Sequence, residues 1–148
     1  MIRLARPDDA EAVTSLANEA YSPYLARNGK IPGPMRDDYA VLIADRRVHV
    51  LEEAEELIGL LVLIPEPDAM LLDNVAVAPS AQGRGFGVKL IAFAEQCARE
   101  EGLPAIRLYT QEIMVENIAL YTRLGFVETH RGREKGLDRV YMTKRLAF

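Results

Sequence analysis

Val75-Ala76-Val77-Ala78-Pro79-Ser80-Ala81-Gln82-Gly83-Arg84-Gly85-Phe86-Gly87 passes from a β-branched apolar stretch through a proline stop into three alternating glycines. The preceding residues, 69–78, read as a strand. The following ones read as a helix over 85–101, with Gly87, Leu90, Ile91, Ala94, Cys97 and Ala98 recurring on one face. Lys89, Gln96, Arg99 and Glu100 point the other way, and Gly102 with Pro104 closes the helix. Ala105 to Thr110 is the next strand. A strand–helix–strand unit of this length predicts two parallel strands joined by a right-handed crossover. Ligands of such sheets collect outside the carboxyl ends of the strands, which is where Gln82 to Gly87 falls.

Gly83, Gly85 and Gly87 carry no Cβ, so a ligand can approach the backbone closely and unusual φ angles are allowed. The amides that open the next helix lack intrahelical acceptors and sit at the positive end of its dipole. Arg84 adds a charge-assisted donor, and a diphosphate is the natural guest. The plain alternative is a tight turn that merely starts a helix. A dinucleotide-binding fingerprint does not fit, because strand 105–110 contains no acidic residue to meet a ribose. A P-loop does not fit either, for want of a Lys-Ser/Thr pair.

Outward from this unit, Ile2 to Leu4 reads as a short strand. A helix follows from Asp8, with Val13, Leu16, Ala17 and Ala20 on one face and Pro23 expected to end it. The breakers of Asn28 to Pro34 make a loop, and a second helix is expected over 35–44. Residues 47–53 and 57–64 read as strands around a tight Glu53-Ala54-Glu55-Glu56 turn. Beyond strand 105–110 come a helix over 115–124, stopped by Gly125, and a hairpin of 126–131 with 138–145. The whole is an α/β layered (α+β) domain with a mixed sheet of seven strands and four helices, spanning 1–148 as one unit.

Composition narrows the function classes. Hydrophobic residues make up 49% and charged residues 27%, which describes a globular chain. No apolar run reaches the roughly 20 residues that cross a bilayer, and the first helix is acidic rather than signal-like. A cytoplasmic protein without membrane contact is the expectation. The lone Cys97 and two histidines, His49 and His130, offer no metal-ligand set, so no metal is expected. A net charge of −4 argues against nucleic acid, which needs clustered Lys and Arg.

The segment from Val75 to Gly87 resembles motif A of the GNAT superfamily of acetyl-CoA-dependent N-acetyltransferases, (Q/R)-x-x-G-x-(G/A), with Gln82, Gly85 and Gly87 at the consensus positions. Glu116-Asn117-Ile118-Ala119-Leu120-Tyr121-Thr122-Arg123-Leu124-Gly125-Phe126 is similar to motif B in compressed form, matching Asn117, Ala119 or Leu120, Tyr121, Gly125 and Phe126. The order of elements follows that fold over nearly the whole chain. The resemblance implies a sheet splayed between its fourth and fifth strands. It implies that Gln82, Gly83, Arg84, Gly85, Phe86 and Gly87 hold the CoA diphosphate. Val75, Ala76 and Val77 would pair with the pantetheine arm, helped by a bulge, while Asn117 and Tyr121 would stand beside the thioester. The implied reaction moves acetyl from acetyl-CoA to a primary amine, of a small molecule or a protein, by direct attack. A CoA-binding sensor module without catalysis is the alternative. Dimers through the last strands are common in the family, so a homodimer is among the expected assemblies.

Asn117 and Tyr121 are i and i+4, hence on one helix face. A phenol, with ordinary pKa about 10 against about 8.5 for a thiol, can donate to a departing thiolate with little penalty. Without its motif, Tyr121 would read as an amphipathic core residue. The oxyanion donor is expected to be a backbone N–H near Val77. For the base, Asp73 and then Glu112 are the candidates, because the positions where relatives place a glutamate hold Leu71 and Tyr109 here. The acceptor pocket is expected among Tyr21, Tyr24, Met35, Asp38 and Tyr39 on one side, and Arg131, Arg139 and Tyr141 on the other. Core aromatics and a basic hairpin face are the equally open alternative.

Overall fold

A computed structural model describes residues 1–147. The sheet orders its seven strands β1 (Ile2–Leu4), β2 (Val48–Glu53), β3 (Glu56–Pro65), β4 (Met70–Val77), β5 (Ala105–Gln111), β7 (Leu137–Arg145) and β6 (Val127–Glu134). All neighbours are antiparallel except β4 and β5. Four helices accompany it: α1 (Ala10–Asn28), α2 (Tyr39–Ala44), α3 (Phe86–Glu100) and α4 (Val115–Arg123). Leu60, Leu61 and Val62 are consecutive on β3 and all fully buried. Their side chains alternate, so helices cover both faces of that strand: α1 and α3 each pack on β3 and β4. Gly59 permits this approach, since a Cβ there would stand 3.1 Å from Leu90 of α3.

The first helix does not end at Pro23. Proline removes the N–H that would bond the Glu19 carbonyl, but the Ser22 hydroxyl donates to that carbonyl at 3.4 Å and the helix continues. Gly29, in the left-handed region with its N–H on the Leu25 carbonyl, is the true stop. The expected helix over 35–44 is also revised. Gly33–Met35 form a 3₁₀ turn, and α2 begins only at Tyr39, where Asp38 caps it by accepting from the Val41 N–H. Cys97 is half-buried at the edge of the α3 core face rather than within it.

Ala54 and Glu55, at the tip of the β2–β3 hairpin, both have positive φ, 52° and 66°. A type I′ turn demands this, and non-glycine residues resist it by about 1 kcal/mol each. Ala54→Asn with Glu55→Gly is therefore expected to stabilise the fold by about 1–2 kcal/mol, read as a higher urea midpoint with an unchanged slope.

Two features of β4 shape everything that follows. Its parallel pairing with β5 covers only Met70 to Leu72, opposite Ile106 to Leu108, and then stops although both strands continue. Its register with β3 slips by one residue between Leu72 and Asn74, leaving Asp73 as the extra residue of a bulge. The bulge turns β4 away from β5. The sheet opens there.

Candidate active site

The opening is fixed from behind by a buried polar chain. The Tyr21 hydroxyl of α1 lies 2.5 Å from Asn74 Oδ1 and 3.0 Å from the Val75 carbonyl. Asn74 Nδ2 donates to the Tyr39 hydroxyl at 2.9 Å, which donates to the Pro34 carbonyl at 2.6 Å. Asn74 is only 3% exposed, so its amide depends on these partners. Burial holds both phenols well above the ordinary tyrosine range. Tyr21→Phe is expected to cost about 1–3 kcal/mol, because it leaves a buried amide oxygen short of a donor. A denaturant melt checks this directly.

On one side of the opening lies a groove of about 470 Å³ between β4, the 82–87 loop, α3 and α4. Gly83 and Gly85 have φ of +81° and +83°, and a Cβ at either would meet no protein atom within 4 Å. These glycines are thus required by backbone conformation, not by packing inside the chain, and the space beside them is open. The amides of residues 83–88 meet no acceptor among the described residues; the Lys89 N–H, on the Gly85 carbonyl, is the next to be satisfied. A row of open donors at a helix start suits a diphosphate. Arg84 lies over the Phe86 ring and pairs with Glu53 at 3.1 Å, a contact exposed enough to be exchanged for a phosphate.

Alternate residues of β4 turn their backbone groups toward β3, as Ala78 does in donating to the Ile58 carbonyl. Val75 and Val77 therefore direct theirs into the opening. Their carbonyls are met there by Tyr21 and by Gln82 Nε2 at 3.2 Å. Their N–H groups face the same space.

On the other side is a larger cavity of about 580 Å³ between β4, β5, the loop after α1 and the β6–β7 turn. Asp73 lines it, accepting from the Tyr109 hydroxyl at 3.0 Å. The buried phenol and this carboxylate together push the Tyr109 pKa far up. Arg139 lies 4.1 Å over the Tyr109 ring and pairs with Glu134 at 2.7 Å. Tyr21, Val75, Asn117 and Tyr121 line both cavities, so these four residues form the junction. Tyr121 is 6% exposed, and loss of water pushes its phenol well above the ordinary range; its hydroxyl has no protein partner among the described residues. It packs edge-on against Phe126 at 5.8 Å.

Asp73, Val75, Val77, Asn117, Tyr121 and the 82–87 loop thus converge, with Ala76 in the groove wall between them. Glu112 does not: it lines neither cavity and is held by Arg131 at 2.6 Å. Of the expected acceptor-side residues, Arg139 lines the larger cavity. Tyr24 faces the groove instead, Met35 packs at the core margin, and Tyr39 is buried in the polar chain. Asp38 is occupied in capping α2, and its neighbour Asp37 lines the cavity. The cap pattern before Tyr39 was the available signal for that division of labour. Lost hydration raises the Asp37 pKa, with Asp73 pushing the same way and Lys135 opposing. No helix among the described residues is long and apolar enough to cross a membrane.

Comparison with known proteins adds an independent line. A profile of the acetyltransferase (GNAT) family matches residues 10–126. The chain is 33% identical over 73 residues, 49% of its length and 47% of the other protein, to the uncharacterized N-acetyltransferase YvbK of Bacillus subtilis. It is 39% identical over 56 residues to the mycothiol acetyltransferase of Nocardia farcinica, covering 38% of this chain and 18% of that one. The chain thus spans less than half the length of these curated relatives. Among solved structures, the ribosomal-protein-alanine N-acetyltransferase from Brucella melitensis superposes with a TM-score of 0.75 at 26% identity over 99% of both chains. The PaiA N-acetyltransferase of Thermoplasma acidophilum, in complex with coenzyme A, gives 0.81 at 18% identity over 99% and 98%, a likeness of fold. With both motifs on the two walls of a splayed β4–β5 pair, and the profile spanning most of its length, the chain belongs to the GNAT acetyltransferase family.

Proposed function

We propose that this chain transfers an acetyl group from acetyl-CoA to a primary amine by direct attack on the thioester. The observation that supports it is the junction: a groove with open amides and a carboxylate-bearing cavity meet at Tyr21, Val75, Asn117 and Tyr121. The amides of residues 83–88 fit a diphosphate, and the free edge of β4 runs from that loop to the junction, where a pantetheine arm would deliver a thioester. Acetyl-CoA, when bound, supplies the activated acyl carbon. Asp73 accepts the proton that an incoming ammonium must lose, directly or through water. The N–H groups of Val75 or Val77 meet the developing oxyanion. As the new N–C bond forms and the C–S bond breaks, the attacking nitrogen passes its second proton through water to the departing sulfur, which leaves as the thiol, while Tyr121 donates a hydrogen bond to that sulfur. Complete transfer of its proton is uphill by about 2 kcal/mol even at ordinary pKa values, and burial of the phenol adds to that. Hydrogen bonding is therefore its assigned role.

Acetyl-CoA-dependent thiol release across amine classes tests the reading. Binding of CoA without release for any amine would leave a sensor module in its place. Asp73→Asn is expected to lower kcat/KM about 100-fold at neutral pH, the gap closing as pH rises and the amine loses its proton unaided. Equal activity at every pH removes Asp73 from the base role.

A further inference from the structure

We infer that the acceptor amine also carries an anionic group, a carboxylate or a phosphate, received by Arg36 and Lys135 on the rim of the larger cavity. This rests on the acetyltransferase reading above and adds the class of substrate to it. The chain as a whole is acidic, at −4, yet the wall of this cavity bears four cationic side chains, Lys30, Arg36, Lys135 and Arg139, against two carboxylates, Asp37 and Asp73. Two of the four cations are engaged. Arg139 is buried and paired with Glu134, and Lys30 Nζ donates to the Gly136 carbonyl at 2.9 Å, tying the loop after α1 to the β6–β7 turn. Arg36 and Lys135 have no ion-pair or hydrogen-bond partner among the described residues, although both line the cavity.

The charges are also ordered along the cavity. Asp73 sits at the bulge where β4 parts from β5, next to the junction. Asp73 is half-buried there, whereas Arg36 and Lys135 are exposed, and Asp37 on the same wall feels both Asp73 and Lys135. A molecule with its amine inward and its anion outward matches this polarity. A polyamine would place a second cation against Arg36 and Lys135, where like charge disfavours it. Both rim residues are exposed and lie on connecting segments, the loop before α2 and the β6–β7 turn, so substitution there leaves the core untouched.

The test compares matched acceptors: free α-amino acids and phosphoethanolamine against amino-acid amides and simple diamines. The expected result is at least about tenfold higher kcat/KM for the anionic acceptors, expressed mainly in KM. Arg36→Gln with Lys135→Gln should erase the preference, and Arg36→Glu with Lys135→Glu should reverse it toward diamines. The ratio between amino acids and phosphoethanolamine separates carboxylate from phosphate. Amides or diamines turned over as well as the anionic acceptors, or a preference that survives the double substitutions, would overturn the inference. A second readout does not need turnover. The melting temperature of the CoA-loaded protein should rise with an N-acetyl amino acid and not with its amide, and an equal response to both would overturn the inference too. Selective stabilisation by the acid with no thiol release from any amine would retain the anion subsite and sink the acetyltransferase reading.

Discussion

Gly85→Val should yield a folded protein with acetyl-CoA affinity reduced by at least about 100-fold. The φ of +83° at this residue is the strained region for a β-branched side chain, which costs about 1–2 kcal/mol. No protein atom lies within 4 Å of the new Cβ, so the fold itself has nothing to rearrange. For a domain of this size the melting temperature should fall by only a few degrees, at about 2–4 °C per kcal/mol. Binding suffers differently. The branched side chain occupies the space in front of the open amides and turns the loop, so two or so charge-assisted hydrogen bonds to the diphosphate are lost at about 1.5–3 kcal/mol each. Titration calorimetry with CoA measures this. Unaltered affinity in a folded variant would mean that the diphosphate lies elsewhere.

Tyr121→Phe should separate binding from chemistry. The hydroxyl has no protein partner among the described residues, so its removal costs the fold nothing and the melting temperature should stay within a degree or so. Acetyl-CoA affinity should also hold, since the groove keeps its shape. kcat should fall about 100- to 1,000-fold, the range for losing one donor aimed at developing charge. The sign of the pH dependence follows from the raised pKa. A phenol acts here only while protonated, and burial keeps it protonated beyond the ordinary value of about 10. The wild-type rate should therefore show no alkaline fall from Tyr121 below about pH 10. Such a fall near pH 8 or 9, absent from the Phe variant, would contradict the burial argument. An unchanged kcat would remove the tyrosine from the reaction while leaving the fold assignment intact.

Much of the architecture was legible in one dimension because its signals are local. The Gly83–Gly85–Gly87 spacing, the apolar face of α3 and the stops at Gly102 and Gly125 each act within a few residues of themselves. The placement of Asn117 and Tyr121 on one helix face follows from helical periodicity, and the structure sets both at the junction. The misread boundaries had local causes too, but ones that weigh one residue against its neighbour. Pro23 reads as a stop only until Ser22 takes over the orphaned carbonyl. Asp38 reads as a pocket residue until its capping role is noticed, which leaves Asp37 for the cavity.

The chemistry of the acceptor side has no such local mark. Tyr39 and Tyr21 are aromatic in either role, and a chain of buried hydrogen bonds through Asn74, distant in sequence from both, makes Tyr39 a support behind the opening while Tyr21 both supports and lines it. Arg139 and Glu112 lie on adjacent segments, yet one is folded under Tyr109 into the cavity and the other is turned outward to Arg131. Arg36 and Lys135 are ordinary loop cations until the meeting of the α1–α2 loop with the β6–β7 turn sets them on one rim. A periodic pattern states which face of its own element a residue occupies. Which distant element that face meets, and hence whether a charge is paired or left for a ligand, emerges from long-range packing, where no single segment carries the information.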